Sequence, residues 1–451
     1  MKTTMLKNEF WYGGAVYEGY RQPVGADDIV DWDFRENPTH NQIMPLFLSS
    51  KGRYIWSNAG FRISFRKGEI LAEGPEIIVL EDGFHDLRGA YLAAMKAHFP
   101  FHEIKLSDRF FKVPVYNSWI ELTYYQTQKN ILKYAKGILE NGFPAGVLMI
   151  DDGWSPYYGR WQFRGDNFRD PKGMIRELYE MGFSVMLWIC PFITPDTVEF
   201  REARDKHFLI ETPEGKPRIL EWWNGYSAAL DLTNPDAMKW LKDQLDVLMD
   251  MGVDGFRLDA VKEYVTGSVE DNVEILSWFA DYVHGKDPEN YLVCECWTDQ
   301  NTYAQYYASG VDSMFDFTFA DKSGIIANVV NGKASAASYA KNLEAEQAMY
   351  AQYNPDYINA PFYTNHDMGR STGYYAGENS EAQTKLGNAL NLLSGGSVFL
   401  YYGEELGMKG SGKDENKRAP MYWSKDDKAE GMCKGPADME DFQMKFDSLE
   451  E

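Results

Sequence analysis

The chain contains 451 residues with a mass of 51.7 kDa, and 44% of them are hydrophobic. It carries 45 Lys and Arg residues against 68 Asp and Glu residues, which gives a formal net charge of −23. A chain of this length and apolar content can bury a large core, which excludes global disorder. The acid excess repels phosphate backbones and anionic lipids, so we expect neither a nucleic acid nor a membrane as partner.

The four cysteines are Cys190, Cys294, Cys296 and Cys433. Their spacing is typical of neither a metal site nor a disulfide framework. Cys294 and Cys296 flank Glu295 in an apolar run, and the alternation of a strand would turn both thiols away from the Glu295 face. We interpret this pair as core thiols.

The N-terminal sequence MKTTMLKNEFWYGG has no apolar signal core. No segment approaches the roughly 18 consecutive apolar residues of a membrane-spanning helix. The sequence as written therefore predicts an untargeted, cytoplasmic protein. A secreted protein whose signal had been removed would look the same.

The first hundred residues contain short aromatic and β-branched runs separated by glycine, at 52–56, 61–65 and 77–80. Their alternation is typical of antiparallel strands. An Ala- and Leu-rich stretch at 87–97, followed by Pro100, predicts a connecting helix. We therefore predict an N-terminal β module, a partial sandwich with its helix, over residues 1–100.

From about residue 110, short buried runs alternate with amphipathic stretches, which is the βα pattern of a parallel sheet. The predicted strands are 113–121, 146–152, 184–193, 253–259, 291–297, 313–319, 358–367 and 397–405, and helices are predicted at 127–140, 171–181, 235–251 and 272–283. Eight strands predict an α/β fold, a (βα)8 TIM-type barrel over residues 101–451. Such barrels carry their chemistry at the carboxyl ends of the strands.

Polar side chains cluster at those predicted ends. They are Asp151, Asp152, Arg257, Asp259, Glu295, His366, Asp367, Glu404 and Glu405. Each acid taken alone could simply cap the following helix, and each nearby tryptophan could simply fill the core. Several carboxylates in one barrel mouth nevertheless destabilise a fold, so their convergence indicates a functional site.

Paired carboxylates with aromatic walls suit glycoside hydrolysis, in which one acid attacks the anomeric carbon and a protonated partner serves the leaving oxygen. Arg257 and Asp259 are two residues apart, so a strand places both on one face. The guanidinium can then hold Asp259 ionised, as a nucleophile requires.

Longer segments resemble two known families. Residues from about 11 to 253 resemble glycoside hydrolase family 31, through GGAVYEGYRQP, PLFLSSKGRYIW, YNSWIELTYYQTQKNILKYAKGILENGFPAGVLMIDDGW, GFSVMLWICPFI and WWNGYSAALDLTNP. Residues from about 255 to 451 resemble family 13, the α-amylase family, through GFRLDAVKE, LVCECW, PFYTNHDMGR and FLYYGEELGMKG…ENKRAPMYW. The simplest account is a half-and-half chimera of natural, engineered or artefactual origin, joined inside the fourth strand at GVDGFRLDA.

The resemblance implies roles for individual residues. Asp259 would be the nucleophile and Glu295 the acid/base. Arg257, His366 and Asp367 would hold and distort the sugar in the −1 subsite, Asp367 as the third catalytic residue, and Arg370 would orient Asp367. Asp151 would bind sugar hydroxyls, with Trp188 and Trp222 as subsite walls. Family 13 members often bind calcium, but their usual site lies around the third-strand segment. Here that strand ends in Trp188-Ile-Cys-Pro191, in the manner of family 31. We therefore predict no metal and no cofactor, with calcium as the alternative.

Together these features predict a retaining α-glycosidase that acts on α-glucosides, oligosaccharides or polysaccharides by double displacement through a covalent glycosyl-enzyme. The alternative is a folded barrel that is inactive or only binds sugar. The presence of Asp259, Glu295 and Asp367 favours the enzyme. Linkage specificity and oligomeric state have no signal in the sequence.

Overall fold

The computed structural model describes residues 1–37, 41–100, 107–222, 225–265, 268–440, 443–448 and 451. The chain divides into two compact units, Met1–Ile104 and Lys105–Glu451. The predicted domain boundary after residue 100 adjoins residues 101–106, which lie outside the described part.

The first unit consists of two four-stranded antiparallel sheets, with strand orders β1-β7-β6-β3 and β2-β4-β5-β8. Its elements are β1 (Lys2–Thr4), β2 (Trp11–Ala15), a 3-10 helix (Val16–Arg21), β3 (Ile29–Asp33), β4 (Ile43–Ser49), β5 (Tyr54–Trp56), β6 (Arg62–Arg66), β7 (Glu69–Glu73), β8 (Val79–Glu81) and α1 (Leu87–His98). The strands predicted at 52–56, 61–65 and 77–80 correspond to β5, β6 and β8, and the predicted helix corresponds to α1.

Alternating burial explains how these sheets pack. Strands β3 and β7, which belong to the same sheet, bury every second residue, so this sheet presents one apolar face. Both sheets contribute aromatic rings to one core, in which Trp32 of β3 stacks on Phe47 of β4 at 6.1 Å. At the edge of this core, Arg53 forms a buried ion pair of 2.5 Å with Glu9.

The strands of the second unit are β9 (Val115–Asn117), β10 (Val147–Ile150), β11 (Ser184–Ile189), β12 (Phe192–Ile193), β13 (Ile219–Trp222), β14 (Gly225–Ala229), β15 (Gly255–Leu258), β16 (Tyr291–Cys294), β17 (Ser313–Asp316), β18 (Ile358–Pro361), β19 (Met408–Lys409) and β20 (Gln443–Met444). Seven of them form one parallel sheet in the order β18-β17-β16-β15-β11-β10-β9. The predicted barrel architecture is therefore confirmed for its first seven strands. Strands β12, β14 and β13 form a small antiparallel sheet, and β19 pairs with β20.

The helices of the second unit are α2 (Asp108–Phe111), α3 (Trp119–Leu122), α4 (Gln128–Glu140), α5 (Pro171–Glu180), α6 (Val198–Asp205), α7 (Pro235–Met251), α8 (Val269–Lys286), α9 (Gln300–Tyr306), α10 (Ile325–Val330), α11 (Ala336–Tyr353), α12 (Ser380–Leu392) and α13 (Asp414–Lys417), with 3-10 turns at Val261–Glu263, Tyr307–Ser309 and Ser371–Tyr374. The four predicted helices correspond to α4, α5, α7 and α8. Asn234 caps α7, whose first residue is Pro235, and Gly252 in a left-handed conformation ends it. No helix among the described residues is long and apolar enough to cross a membrane.

The eighth predicted strand, 397–405, is wrong as a regular strand. Ser397 and Phe399 each donate one backbone hydrogen bond to the β18 segment, at 2.8 and 3.0 Å, and a single parallel bridge joins Phe362 to Phe399. Residues 402–407 then form turns, which include Gly403 and Gly407 at positive φ. Glycine in this conformation interrupts the extended backbone that an eighth strand needs.

The barrel strands present two different faces. Val147, Met149, Met186, Tyr291 and Val293 form one cluster inside the sheet. Their alternate neighbours, among them Cys294 and Cys296, belong to the large core that includes helical residues outside the sheet. Both thiols are fully buried, so their interpretation as core residues is confirmed. Glu295, between them, is thereby directed to the inner side.

A pair of buried acids lies behind the sixth strand. Asp316 accepts hydrogen bonds from Asn359 Nδ2 at 2.6 Å and from the Tyr350 hydroxyl at 3.0 Å. Glu346 of α11 is 3% exposed and accepts a hydrogen bond from Gln300. Burial, and then the charge of Asp316, raise the pKa of Glu346 to about 8. The folded chain therefore holds a proton here that an unfolded chain would release near pH 4.5.

The Glu346→Gln variant should make stability less dependent on pH. A carboxyl whose pKa is raised by folding loses stabilisation as pH rises from its unfolded value to its folded value, here from 4.5 to about 8. Relative to wild type, the free energy of unfolding of the variant should therefore gain roughly 2–4 kcal/mol between pH 5 and pH 8. Urea unfolding at both pH values measures this difference. Exposed Glu344 on the same helix provides the control Glu344→Gln, and equal behaviour of the two variants would contradict the assignment.

Candidate active site

Arg257 of β15 lies at the centre of a cluster of carboxylates, and its side chain is only 7% exposed. Its Nη1 donates to Asp151 Oδ2 at 3.0 Å. Its Nη2 donates to Asp259 Oδ1 at 3.2 Å and also to Oε2 of Glu295. Burial opposes the charge of Arg257, but the three carboxylates outweigh burial and raise its pKa. One guanidinium therefore forms ion pairs with three acids that lie at the ends of three strands.

Strand register explains this arrangement. Arg257 is paired with Trp188 on one side and with Val293 on the other, so the three residues form one row across β11, β15 and β16. Asp259 follows Arg257 by two residues and Glu295 follows Val293 by two. A period of two keeps each pair on the same face, which brings both acids to the inner side just beyond the strand ends. The predicted contact between Arg257 and Asp259 is confirmed.

Asp151 has a second partner that the sequence did not single out. Asn117, the last residue of β9, donates its amide to Asp151 Oδ2 at 2.6 Å. The backbone N–H of Asp152 donates to Asp151 Oδ1 at 2.9 Å. Asn117 is in register with Met149, two residues before Asp151, and this register, which the sequence alone does not show, brings the two side chains together.

Asp152 faces a different environment. Its Oδ2 accepts a hydrogen bond of 2.9 Å from the Tyr158 hydroxyl, and its Oδ1 accepts one of 2.7 Å from the Gly153 N–H. Burial raises the pKa of Asp152 to about 6, with the neighbouring charge of Asp151 acting in the same direction. Asp152 is therefore partly protonated near neutral pH.

Asp259 is buried in an environment that disfavours the ionised form of its carboxyl group. Burial, followed by the charge of Glu295, raises its pKa, whereas Arg257 and a hydrogen bond with Trp188 act in the opposite direction. The backbone adds rigidity, because Asp259 N–H donates to the Ile189 carbonyl at 3.0 Å. The next residue, Ala260, adopts a left-handed conformation with φ of 48°, an unfavourable one for alanine. The chain therefore turns sharply immediately after this carboxylate.

The strand-end acids are not helix caps. The helices that follow β10, β15 and β16 are α5, α8 and α9, and their first turns are capped by the side chains of Asp170, Ser268 and Asp299. Asp151, Asp259 and Glu295 instead accept hydrogen bonds from Arg257. The capping interpretation of these three acids is therefore wrong.

His366 and Asp367 follow the seventh strand, and His366 Nε2 lies 3.2 Å from Asp367 Oδ2. Burial lowers the pKa of His366, and the charge of Arg257 acts in the same direction while Asp367 and Asp151 oppose it. Because the charges of Arg257 and Asp151 both affect this pKa, His366 lies near the Arg257 cluster. Its imidazole is therefore neutral at pH 7.

The predicted role of Arg370 in orienting Asp367 is wrong. The Arg370 side chain is fully buried, and its Nη1 donates to the Tyr402 carbonyl at 2.6 Å. Its guanidinium lies over the rings of Tyr401 and Tyr402, with Glu404 Oε1 at 3.7 Å. Its function in substrate binding stays a prediction. Arg418 contacts Asp367 instead, at 2.8 Å, and no pattern in the sequence indicated this partner.

Aromatic rings surround the cluster. Trp188, Trp222 and Tyr158 belong to one apolar group, in which Trp222 packs edge-on against Phe192 at 4.7 Å. Trp188 is almost fully buried, and its contact with Asp259 places it beside the nucleophile candidate. The function of Trp188 and Trp222 as sugar-binding walls stays a prediction. Among the described residues, no group of three or more His, Cys, Asp or Glu side chains could hold a metal ion.

Comparison with protein-family models gives two matches. The model for the glycosyl hydrolases family 31 TIM-barrel domain matches residues 115–316, and the model for the α-amylase catalytic domain matches residues 220–441. The predicted double resemblance is therefore confirmed. The segment shared by both matches, 220–316, contains the fourth strand and with it the predicted join.

The similar proteins include both α-amylases and α-xylosidases. Alpha-amylase 3 of Dictyoglomus thermophilum is 29% identical over 279 residues, 58% of this chain and 54% of the relative. Alpha-xylosidase XylQ of Lactiplantibacillus pentosus is 27% identical over 226 residues, 48% of this chain and 29% of the relative. The solved structure of Eubacterium rectale Amy13B is 29% identical with a TM-score of 0.60, covering 76% of this chain and 75% of that one. The chain spans about half or less of the length of these two curated relatives.

Replacing Arg257 by methionine should destabilise the fold. The change leaves the three carboxylates without their shared cation, and loss of one partner from a buried ion pair typically costs about 3–5 kcal/mol. We expect a loss of this size in the free energy of unfolding at pH 7 and a smaller loss at pH 5, where acids such as Asp259 are more protonated. Guanidinium unfolding of Arg257→Met measures both.

The control is Arg35→Met, which removes an exposed ion pair with Asp33 and should leave the free energy of unfolding almost unchanged. A loss for Arg257→Met as small as that of the control, and equal at both pH values, would show that Arg257 does not hold the acids together.

Proposed function

We propose that the protein is a retaining α-glycosidase that hydrolyses α-glucosidic bonds in oligosaccharides or polysaccharides. The observation that carries the proposal is the sharing of one Arg257 nitrogen by Asp259 and Glu295. Two oxygens bound to the same nitrogen are closer together than the about 6.5–9.5 Å of an inverting pair, which must leave room for a water molecule. The spacing supports direct attack by a carboxylate.

Asp259 attacks the anomeric carbon in the first step, and the bond from that carbon to the leaving oxygen breaks. The electron pair goes to the leaving oxygen, which takes a proton from Glu295. In the second step Glu295 removes a proton from water, the water oxygen attacks the anomeric carbon, and the bond to Asp259 breaks. Arg257 keeps Asp259 oriented throughout, while Asp151, fixed by Asn117, accepts hydrogen bonds from sugar hydroxyls.

The acid step requires a rearrangement. The Glu295 oxygen that accepts from Arg257 has no proton to give. Glu295 must therefore leave Arg257 and take up a proton when the sugar enters, while Asp151 and Asp259 keep the guanidinium in place. Because the Glu295 side chain is 20% exposed, the most open of the three acids around Arg257, it is the one that can move.

The same contact favours a second candidate, a barrel that binds sugar without hydrolysing it. If the ion pair between Arg257 and Glu295 persists in the complex, no acid serves the leaving oxygen. Binding through Asp151 and the aromatic group would remain. Substrates in both cases are α-linked sugars, a class supported by the α-amylase and α-xylosidase names of the relatives.

Proton NMR of the products tests the retaining reaction. Hydrolysis of a maltooligosaccharide should release the α anomer first, because two displacements restore the starting configuration. Asp259→Asn should lose at least about 10³-fold in kcat, as the nucleophile is gone. Initial release of the β anomer would refute the retaining mechanism, and binding without turnover would favour the sugar-binding alternative.

The Glu295→Gln variant tests the acid. On an unactivated disaccharide, kcat/KM should fall by about 10²–10⁴-fold, the usual contribution of general acid catalysis. On a glycosyl fluoride, whose leaving group needs little protonation, the fall in the rate of glycosyl-enzyme formation should be far smaller. A similar rate on the disaccharide for variant and wild type would mean that another group donates the proton.

A further inference from the structure

Asp367 is the least protected acid of the candidate site. Its side chain is 37% exposed, against 4% for Asp151 and 13% for Asp259. It lies on a loop after β18 rather than on a strand, so the sheet does not fix its rotamer. The neighbouring His366 is neutral at pH 7 and supplies only a contact of 3.2 Å. An acid in this setting needs another partner to stay in one orientation.

Arg418 is that partner, and it is itself held at every nitrogen. Its Nη2 donates to Asp367 Oδ1 at 2.8 Å, and its Nε donates to the His366 carbonyl at 3.1 Å. Its Nη1 lies 3.1 Å from Asp414 Oδ2. The guanidinium therefore bridges the loop after β18 and the short helix α13.

Lys417 strengthens the same bridge. Its Nζ lies 2.8 Å from Asp414 Oδ1 and donates to the Asp367 carbonyl at 3.1 Å. The Lys417 side chain is mostly buried, so water screens these contacts little. The side chain and the backbone of Asp367 are thus tied to α13 by two different cations.

We infer that Arg418 is a positioning residue that fixes the Asp367 carboxylate toward the bound sugar, with Asp414 and Lys417 anchoring it. The inference rests on the proposed function. A bidentate or forked donor sets the direction of a carboxylate as well as its charge, which a lysine at the same place cannot do. Arg418 acts through Asp367 and does not touch the sugar.

A double-mutant cycle tests this role. Arg418→Met should lower kcat/KM on a maltooligosaccharide by about 30–100-fold, the effect of displacing a group from its reacting geometry. In an Asp367→Asn background the same change should have less than about 3-fold further effect, because the residue it positions is already altered. Added guanidinium ion, below denaturing concentrations, should restore part of the activity of Arg418→Ala, and Arg418→Lys should recover less than arginine itself.

Controls separate this role from others. Arg62→Met breaks an exposed ion pair of 2.8 Å with Asp31 in the first unit and should leave activity unchanged. Affinity for a cationic iminosugar, measured by calorimetry, should fall in Arg418→Met and in Asp367→Asn without being additive in the double variant. The affinity measured by calorimetry does not depend on turnover.

The outcomes are distinguishable. A wild-type chain that neither hydrolyses an α-glucoside nor binds the iminosugar refutes the proposed function, and the inference with it. An active wild type with an unaffected Arg418→Met variant overturns the inference alone. A rise in KM with unchanged kcat, undiminished in the Asp367→Asn background, would also overturn it, because Arg418 would then contact the sugar itself.

Discussion

The structure of the site depends on the burial of one cation among acids that would otherwise repel one another. Arg257 contacts Asp151, Asp259 and Glu295, which come from the second, fourth and fifth strands of the barrel. Without it, three carboxylates in a mostly buried space would take up protons or force the strand ends apart. The geometry proposed for catalysis and the stability of the barrel mouth therefore have the same origin.

The seven-stranded sheet connects the two resemblances. Asp151 lies in the segment that resembles family 31 alone, Glu295 lies in the segment matched by both family models, and Asp367 lies in the segment matched by the α-amylase model alone. All three belong to the same parallel sheet and its following loops, since β10, β16 and β18 are strands of one seven-stranded sheet. Matching strand positions, rather than matching loops, allow side chains from both kinds of sequence to meet.

Strand alternation was sufficient to predict the parts of the site that stand on the sheet. The spacing of Arg257 and Asp259 fixed their common face, and the cysteines beside Glu295 showed which face was the outer one. Loops have no two-residue alternation from which the direction of a side chain could be predicted. The choice of Arg418 over Arg370 as partner of Asp367 depends on how α13 folds back, which no local pattern encodes, and the eighth strand was overestimated because its apolar residues continue into glycine-containing turns.

We propose that residues from both halves of the chain form one catalytic site around Asp259. Covalent trapping with a fluorinated glycosyl fluoride, followed by peptide mapping by mass spectrometry, tests it most directly. We expect a label on Asp259 that forms at least about tenfold more slowly in an Asp151→Asn variant, because that change weakens binding of the sugar hydroxyls and removes one ion-pair partner of Arg257. A label on another residue, or labelling of Asp259 at the same rate in both proteins, would contradict it.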